Sequence, residues 1–170
     1  RNIMTMEKPV ICAVNGVAAG AGASIALACD IVLAARSAKF VQAFSKIGLV
    51  PDSGGTFNLP RALGLPRAKG LALLGDKLSA EQAEQWGMIW QCVDDDTLME
   101  ETLALAERLA SLPPLGLAMT KKLLNDSFST PLHQQLEIEK ETMRWLGKTD
   151  DYQEGVSAFM EKRQPSFTGK

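Results

Sequence analysis

The stretch "FSKIGLVPDSGGT" (44–56) carries one acidic side chain, Asp52, and no other acid occurs between Asp30 and Asp76. A carboxylate isolated beside an apolar pocket has its pKa raised by desolvation and becomes a candidate general base. Asp before Ser-Gly-Gly is also a good turn former, and turn composition by itself favours a solvated aspartate. The apolar "IGLV" just ahead weighs the other way, because it predicts a loop buried against the body of the protein.

A second stretch, "GVAAGAGAS" (16–24), is a glycine-rich turn feeding a helix. The first N–H groups of a helix lack intrahelical acceptors and carry a partial positive charge, so such a turn suits a phosphate, a carboxylate or an oxyanion. The dinucleotide fingerprint fails here, because Gly20-Ala21-Gly22 is followed by Ala23, Ser24 and Ile25, and the Walker pattern is missing too. Close packing of a helix on a sheet asks for the same small residues. A Ser-His-Asp triad would have to use the single histidine, His133, and is conceivable with Ser24 and Asp52 as its other members. His133 itself falls in the first turn of a late helix, where a surface or capping role is ordinary. With one His, no clustered Cys and one acidic run (Asp94-Asp95-Asp96) at a helix start, no metal site is expected. Near the end, Phe159, Lys162 and Arg163 lie on a helix terminus, where cations complement the dipole and could also meet a ligand phosphate.

The elements that must position these residues follow from periodicity and punctuation. "VICAV" (10–14), "IVLAA" (31–35), "AKFVQA" (38–43) and "MIWQCV" (88–93) read as strands or extended segments, and Ala21–Cys29 as a short helix stopped by Asp30. A short helix over 56–64 is expected to break near Pro60, and a second to run from Pro66 to Gly75. In "LSAEQAEQWG", Ser79 is placed as an N-cap with Gln82 three residues on, and Gly87 closes the helix. Four helices then cover 95–111, 115–127, 131–147 and 150–163.

Composition bounds the answer. The 170 residues suffice for one domain with a real core. A net charge of −2 offers no basic footprint for nucleic acid. The uncharged run between Lys8 and Asp30 is long enough to span a membrane, but Asn15-Gly16 and the glycines after it favour a strand, a turn and a buried helix. Cys12, Cys29 and Cys92 read as reduced core residues, which makes a cytoplasmic location the default. The chain opens without an initiator Met or a secretory layout and reads as beginning partway through a longer protein.

"KPVICAVNGVAAGAGASIALACDIVLAA", "AKFVQAFSKIGLVPDSGGTFNLPRALG", "LSAEQAEQWGMI" and "EGVSAFMEKRQPSF" resemble, in order and spacing, the crotonase (enoyl-CoA hydratase/isomerase) superfamily, from Lys8 to Lys170. The resemblance implies an α/β fold: a crotonase-like spiral of ββα turns, here its C-terminal part over residues 1–110, then a helical trimerisation region over 111–170. It implies a homotrimer or a hexamer made as a dimer of trimers, and an acyl-CoA substrate with no separate cofactor. One oxyanion-hole donor would be the Ala21 backbone N–H; the second lies, in the family, upstream of this chain. Ser24 and Phe44 stand where hydratases carry two glutamates, which implies an acyl pocket without the water-activating pair. Asp52 stands where isomerases of the family keep a catalytic acid, and Phe44 would help raise its pKa. Phe159 and Lys162 match positions that approach CoA from an adjoining subunit. The expectation is an acyl-CoA isomerase working through a thioester enolate, with Δ3-Δ2 or dienoyl-CoA isomerisation and a non-catalytic acyl-CoA-binding subunit as alternatives. A serine hydrolase using Ser24 and His133 is the remaining reading.

Overall fold

The computed structural model describes residues 1–170. They form two compact units: Val10–Ala104, and Arg1–Pro9 together with Leu105–Lys170.

The first unit repeats a strand-strand-helix turn. Strands β1 (Ile11–Val14) and β2 (Val17–Ala19) lead into helix α2 (Ala21–Ala26), and β3 (Ile31–Ala35) and β4 (Lys39–Val41) lead through a 3-10 turn (Ala43–Ile47) into α3 (Gly55–Leu74). Strand β5 (Lys77–Ser79), helix α4 (Ala80–Gln85) and strand β6 (Gln91–Val93) complete it. First and second strands of successive turns separate into two sheets. One is parallel in the order β1-β3-β6, with Ile11 beside Ile31 and Leu33 beside Gln91. In the other, β2 runs parallel to β4 and β5 antiparallel to it. Parallel strands covered on both faces need continuous apolar runs, and Val32, Leu33, Ala34 and Ala35 are all buried. The uncharged run 9–29 thus becomes strand, strand and short helix, and no helix of the protein is long and apolar enough to cross a membrane.

Three local expectations change. The "NGVAAG" segment is not turn alone: Val17–Ala19 pair with Lys39–Val41, a partnership the local sequence does not announce. Helix α2 ends three residues early because the N–H groups of Ala28 and Cys29 turn to the carbonyls of Ile25 and Ala26, tightening the last turn. The break expected at Pro60 falls instead at Gly64 (φ 72°, ψ 162°). Proline removes one ladder bond, whereas this backbone conformation leaves the helix altogether and is open to glycine. The Ser79 cap forms as read, with its hydroxyl accepting from the Gln82 N–H at 3.2 Å.

The acidic run 94–96 does more than start a helix. Asp94 pairs with Arg36 at 2.9 Å and an Asp95 carboxylate oxygen accepts from the Ser37 N–H at 2.9 Å, pinning the turn between β3 and β4. Ser37, through its side chain first and this N–H bond second, holds the Asp95 carboxyl below its ordinary range. Helix α5 (Leu98–Ala110) then leads to α6 (Pro114–Ser127), α7 (Leu132–Leu146) and α8 (Asp150–Glu161), close to the ranges read from sequence; a short α1 (Asn2–Thr5) was not foreseen. In the second unit, buried Lys121 donates to the carbonyls of Ile3 (2.8 Å) and Lys8 (3.2 Å), fastening the first residues to α6.

Candidate active site

The glycine-rich turn and the Asp52 turn meet around Ser24. Gly20 caps α2 with φ 54° and ψ −122°, a backbone state unsuited to a residue with a Cβ. Its N–H donates to the Val41 carbonyl at 2.8 Å, tying the cap to β4. The Ala21 N–H follows as the first of the helix, where no intrahelical acceptor exists. The Phe44 ring lies against Gly20, 3.5 Å from where a Cβ would stand, and is itself buried.

Ser24 is completely buried and its hydroxyl donates to the Gly20 carbonyl at 3.4 Å. Across from it, α3 begins at buried Gly55, where a Cβ would fall 2.5 Å from Ser24 Oγ and 3.1 Å from Pro51 Cβ. Only hydrogen fits there, so the start of α3 seats directly on the side chain of α2. Asp52 opens the turn that leads into α3, and its carbonyl accepts from the Gly55 N–H at 2.8 Å.

The surroundings of Asp52 differ from expectation. The apolar residues meant to cover the loop, Ile47 (73% exposed), Leu49 (59%) and Val50 (76%), face outward, and Asp52 is exposed with them. The 3-10 turn ends at Gly48 in the left-handed region (φ 74°), and that reversal carries the segment to the surface. Asp30, the nearest acid in sequence, is already engaged, accepting from the Val10 N–H at 2.7 Å.

The hydrolase reading loses its footing. A nucleophilic serine needs an exposed hydroxyl held by a base, whereas Ser24 is enclosed and bonded to a carbonyl; His133 is exposed in the first turn of α7. The cysteines are half-buried rather than fully buried, and burial pushes the Cys12 thiol to about 11, with the Cys29 thiol beside it adding to the effect.

In the second unit, Phe159 is 81% exposed near the end of α8, and exposed Lys162 caps that helix in the left-handed region (φ 55°). Arg163 is occupied, bonding both oxygens of Glu154 at 2.6 and 2.8 Å. The Asp151 carboxylate accepts from the N–H groups of Thr168 (2.7 Å) and Gly169 (2.9 Å), which folds the last residues back onto the helix. One residue that sequence reading passed over is Asn58, a buried amide in the first half of α3; its signal was a lone polar side chain between Phe57 and Leu59.

Residues 1–170 match the enoyl-CoA hydratase/isomerase family. The chain is 59% identical over 170 residues to the 1,2-epoxyphenylacetyl-CoA isomerase of Escherichia coli, covering all of this chain and 65% of that protein. It is 49% identical over 168 residues to a probable enoyl-CoA hydratase of Rhodobacter capsulatus, covering 99% of this chain and 65% of that one. A crystal structure of an enoyl-CoA hydratase from Polaromonas superposes with a TM-score of 0.95 at 39% identity, over 98% of this chain and 65% of that chain. This chain therefore spans about two thirds of the length of these relatives. It belongs to the enoyl-CoA hydratase/isomerase family and has the crotonase fold, with a helical C-terminal region.

Proposed function

We propose that this family member is an acyl-CoA isomerase in which Asp52 moves a proton at the carbon next to a thioester, and that its substrate is 1,2-epoxyphenylacetyl-CoA, in aerobic phenylacetate breakdown. One observation carries the mechanism. Asp52 is the only acid from residue 31 to 75, the span that holds Phe44 and the start of α3, and neither Ser24 nor Phe44 offers a carboxylate. Water addition in the family calls for two carboxylates, whereas proton transfer beside a thioester calls for one. The 59% identity to an epoxyphenylacetyl-CoA isomerase supports the same reading.

The α-proton of a thioester is weakly acidic, and its removal places negative charge on the thioester oxygen. The Ala21 N–H, fixed by the Gly20 cap, would donate to that oxygen without reorganising; an oxyanion donor is worth roughly 3 kcal/mol by analogy with other acyl-transfer sites. Asp52 takes the proton and returns it at another carbon, or protonates the opening epoxide oxygen, so the base is regenerated in each turnover. Phe44 in place of a carboxylate makes the acyl pocket more apolar, which favours an aromatic or long acyl group, and Ser24 supplies no carboxylate either. In a trimer, or a hexamer built from two, Phe159 and Lys162 would meet the CoA of an adjoining subunit. A cytoplasmic setting suits such a soluble thioester.

In the complete protein, Asp52→Asn should abolish isomerisation of 3-enoyl-CoA and of the epoxide while CoA-thioester affinity is kept. Full activity in that variant refutes the reading. Water addition is the second reading, favoured by the 49% identity to a probable enoyl-CoA hydratase. Hydration of crotonyl-CoA at a rate matching isomerisation would support it.

A further inference from the structure

Asn58 is 8% exposed, and its Nδ2 is fully enclosed without a hydrogen-bond partner. It is the fourth residue of α3, and side chains on a helix lean back toward its N-terminus. The fourth residue consequently faces the segment that enters the helix, here Ser53 and Gly54. A Cβ on Gly54 would lie 3.3 Å from Asn58 Nδ2. Two backbone bonds draw the same stretch together: Gly55 N–H to the Asp52 carbonyl at 2.8 Å, and Asn58 N–H to the Gly54 carbonyl at 2.9 Å. Ser53 (φ 51°) and Gly54 (φ 84°) are consecutive left-handed residues that turn the chain back over this point.

A buried donor without an acceptor forfeits its hydration, and an apolar side chain of similar size would avoid that cost. The charged groups nearest this turn in sequence on the neighbouring elements offer no acceptor. Lys46, on the 3-10 turn, faces Asp76 at 3.9 Å, and Arg61, on α3, lies 3.5 Å over the Phe57 ring and donates to the Phe57 carbonyl. Helix α2 carries no charge. The one acid borne by this turn is Asp52.

We propose that Asn58 is a positioning residue: its side-chain amide donates to the Asp52 carboxylate and fixes that group for proton transfer when substrate is bound. The inference rests on Asp52 being the base. A donor to the charged form keeps a carboxylate ionised to lower pH, so losing it moves the acid limb of the rate profile upward.

The test is Asn58→Leu in the complete protein, followed by kcat for isomerisation at saturating substrate against pH and by thermal unfolding. The expected result is a fall of about tenfold in kcat with its acid limb raised by about 1 in pH, and an unchanged or higher Tm. In an Asp52→Asn background the same substitution should add nothing. Unaltered kinetics with a higher Tm would overturn the proposal, leaving Asn58 a frustrated core residue. A slower enzyme with an unmoved acid limb would overturn it as well, since a merely structural role predicts that pattern. Full activity in Asp52→Asn alone would instead remove the base, an outcome read independently of Asn58.

Discussion

Gly55→Ala asks whether the seating of α3 on α2 is as tight as the geometry says. The added methyl would lie 2.5 Å from Ser24 Oγ and 3.1 Å from Pro51 Cβ, and Ser24 has no solvent to move into. Overpacking of this kind costs about 1–3 kcal/mol. Exchanging glycine for alanine in a helix returns up to about 1 kcal/mol through propensity and the stiffer unfolded chain. The net expectation is a loss of about 1–2 kcal/mol. Ser24→Ala removes the oxygen at 2.5 Å, and the Ser24 Cβ at 3.4 Å is ordinary contact. Only Pro51 then has to yield by a few tenths of an ångström. In that background Gly55→Ala should be neutral or slightly stabilising, so the cost changes sign between backgrounds. Urea unfolding of wild type, both single variants and the double variant measures the coupling, expected at about 1–2 kcal/mol. Additivity within about 0.5 kcal/mol would refute the close approach of Ser24 and Gly55.

Other consequences can be measured independently. Arg163, joined by the Ser166 N–H, holds the Glu154 carboxyl at about 2, down from 4.5. Its folded value is depressed, so its stabilisation is complete above 4.5 and is lost as pH falls toward 2. The Tm gap between wild type and Glu154→Gln should close over that window, and a gap that stays constant down to pH 2 would contradict the pairing. Lys121→Met removes the bonds to the Ile3 and Lys8 carbonyls and should cost about 1–3 kcal/mol. Faster amide exchange in residues 2–8 should accompany the loss, and unchanged protection there would refute the clamp.

What the sequence revealed and what it concealed divide along physical lines. Features written in local chemistry were legible: the Ser79 cap, the left-handed Gly75 and Gly87, the apolar parallel strands β1 and β3, and the four late helices with their turn breaks. Features that depend on distant partners were hidden. Strand β2 is three residues long and exists because β4 lies beside it, and β5 is fixed likewise from across the sheet. Pro60 drew the eye as a breaker, yet the chain departs from the helix at Gly64, where a glycine can take ψ 162° just ahead of Pro66. At the site, the residue types at 21, 24, 44 and 52 were readable, but not their enclosure. Apolar "IGLV" implied burial, and the Gly48 reversal turned those side chains outward instead. Asn58 escaped notice because an amide inside an apolar helical run carries no motif, and its meaning appears only once its missing partner is seen.

The measurement that tests the central claim most directly is exchange of the α-carbon protons of phenylacetyl-CoA and a 3-enoyl-CoA in D₂O, followed by NMR with the complete protein and with its Asp52→Asn variant. The enolate account predicts exchange catalysed by the wild type and reduced to background in the variant, with both proteins still binding the thioester. Equal exchange in the two proteins would show that another group is the base. Absence of exchange in both would contradict enolate chemistry and leave an acyl-CoA-binding subunit in its place.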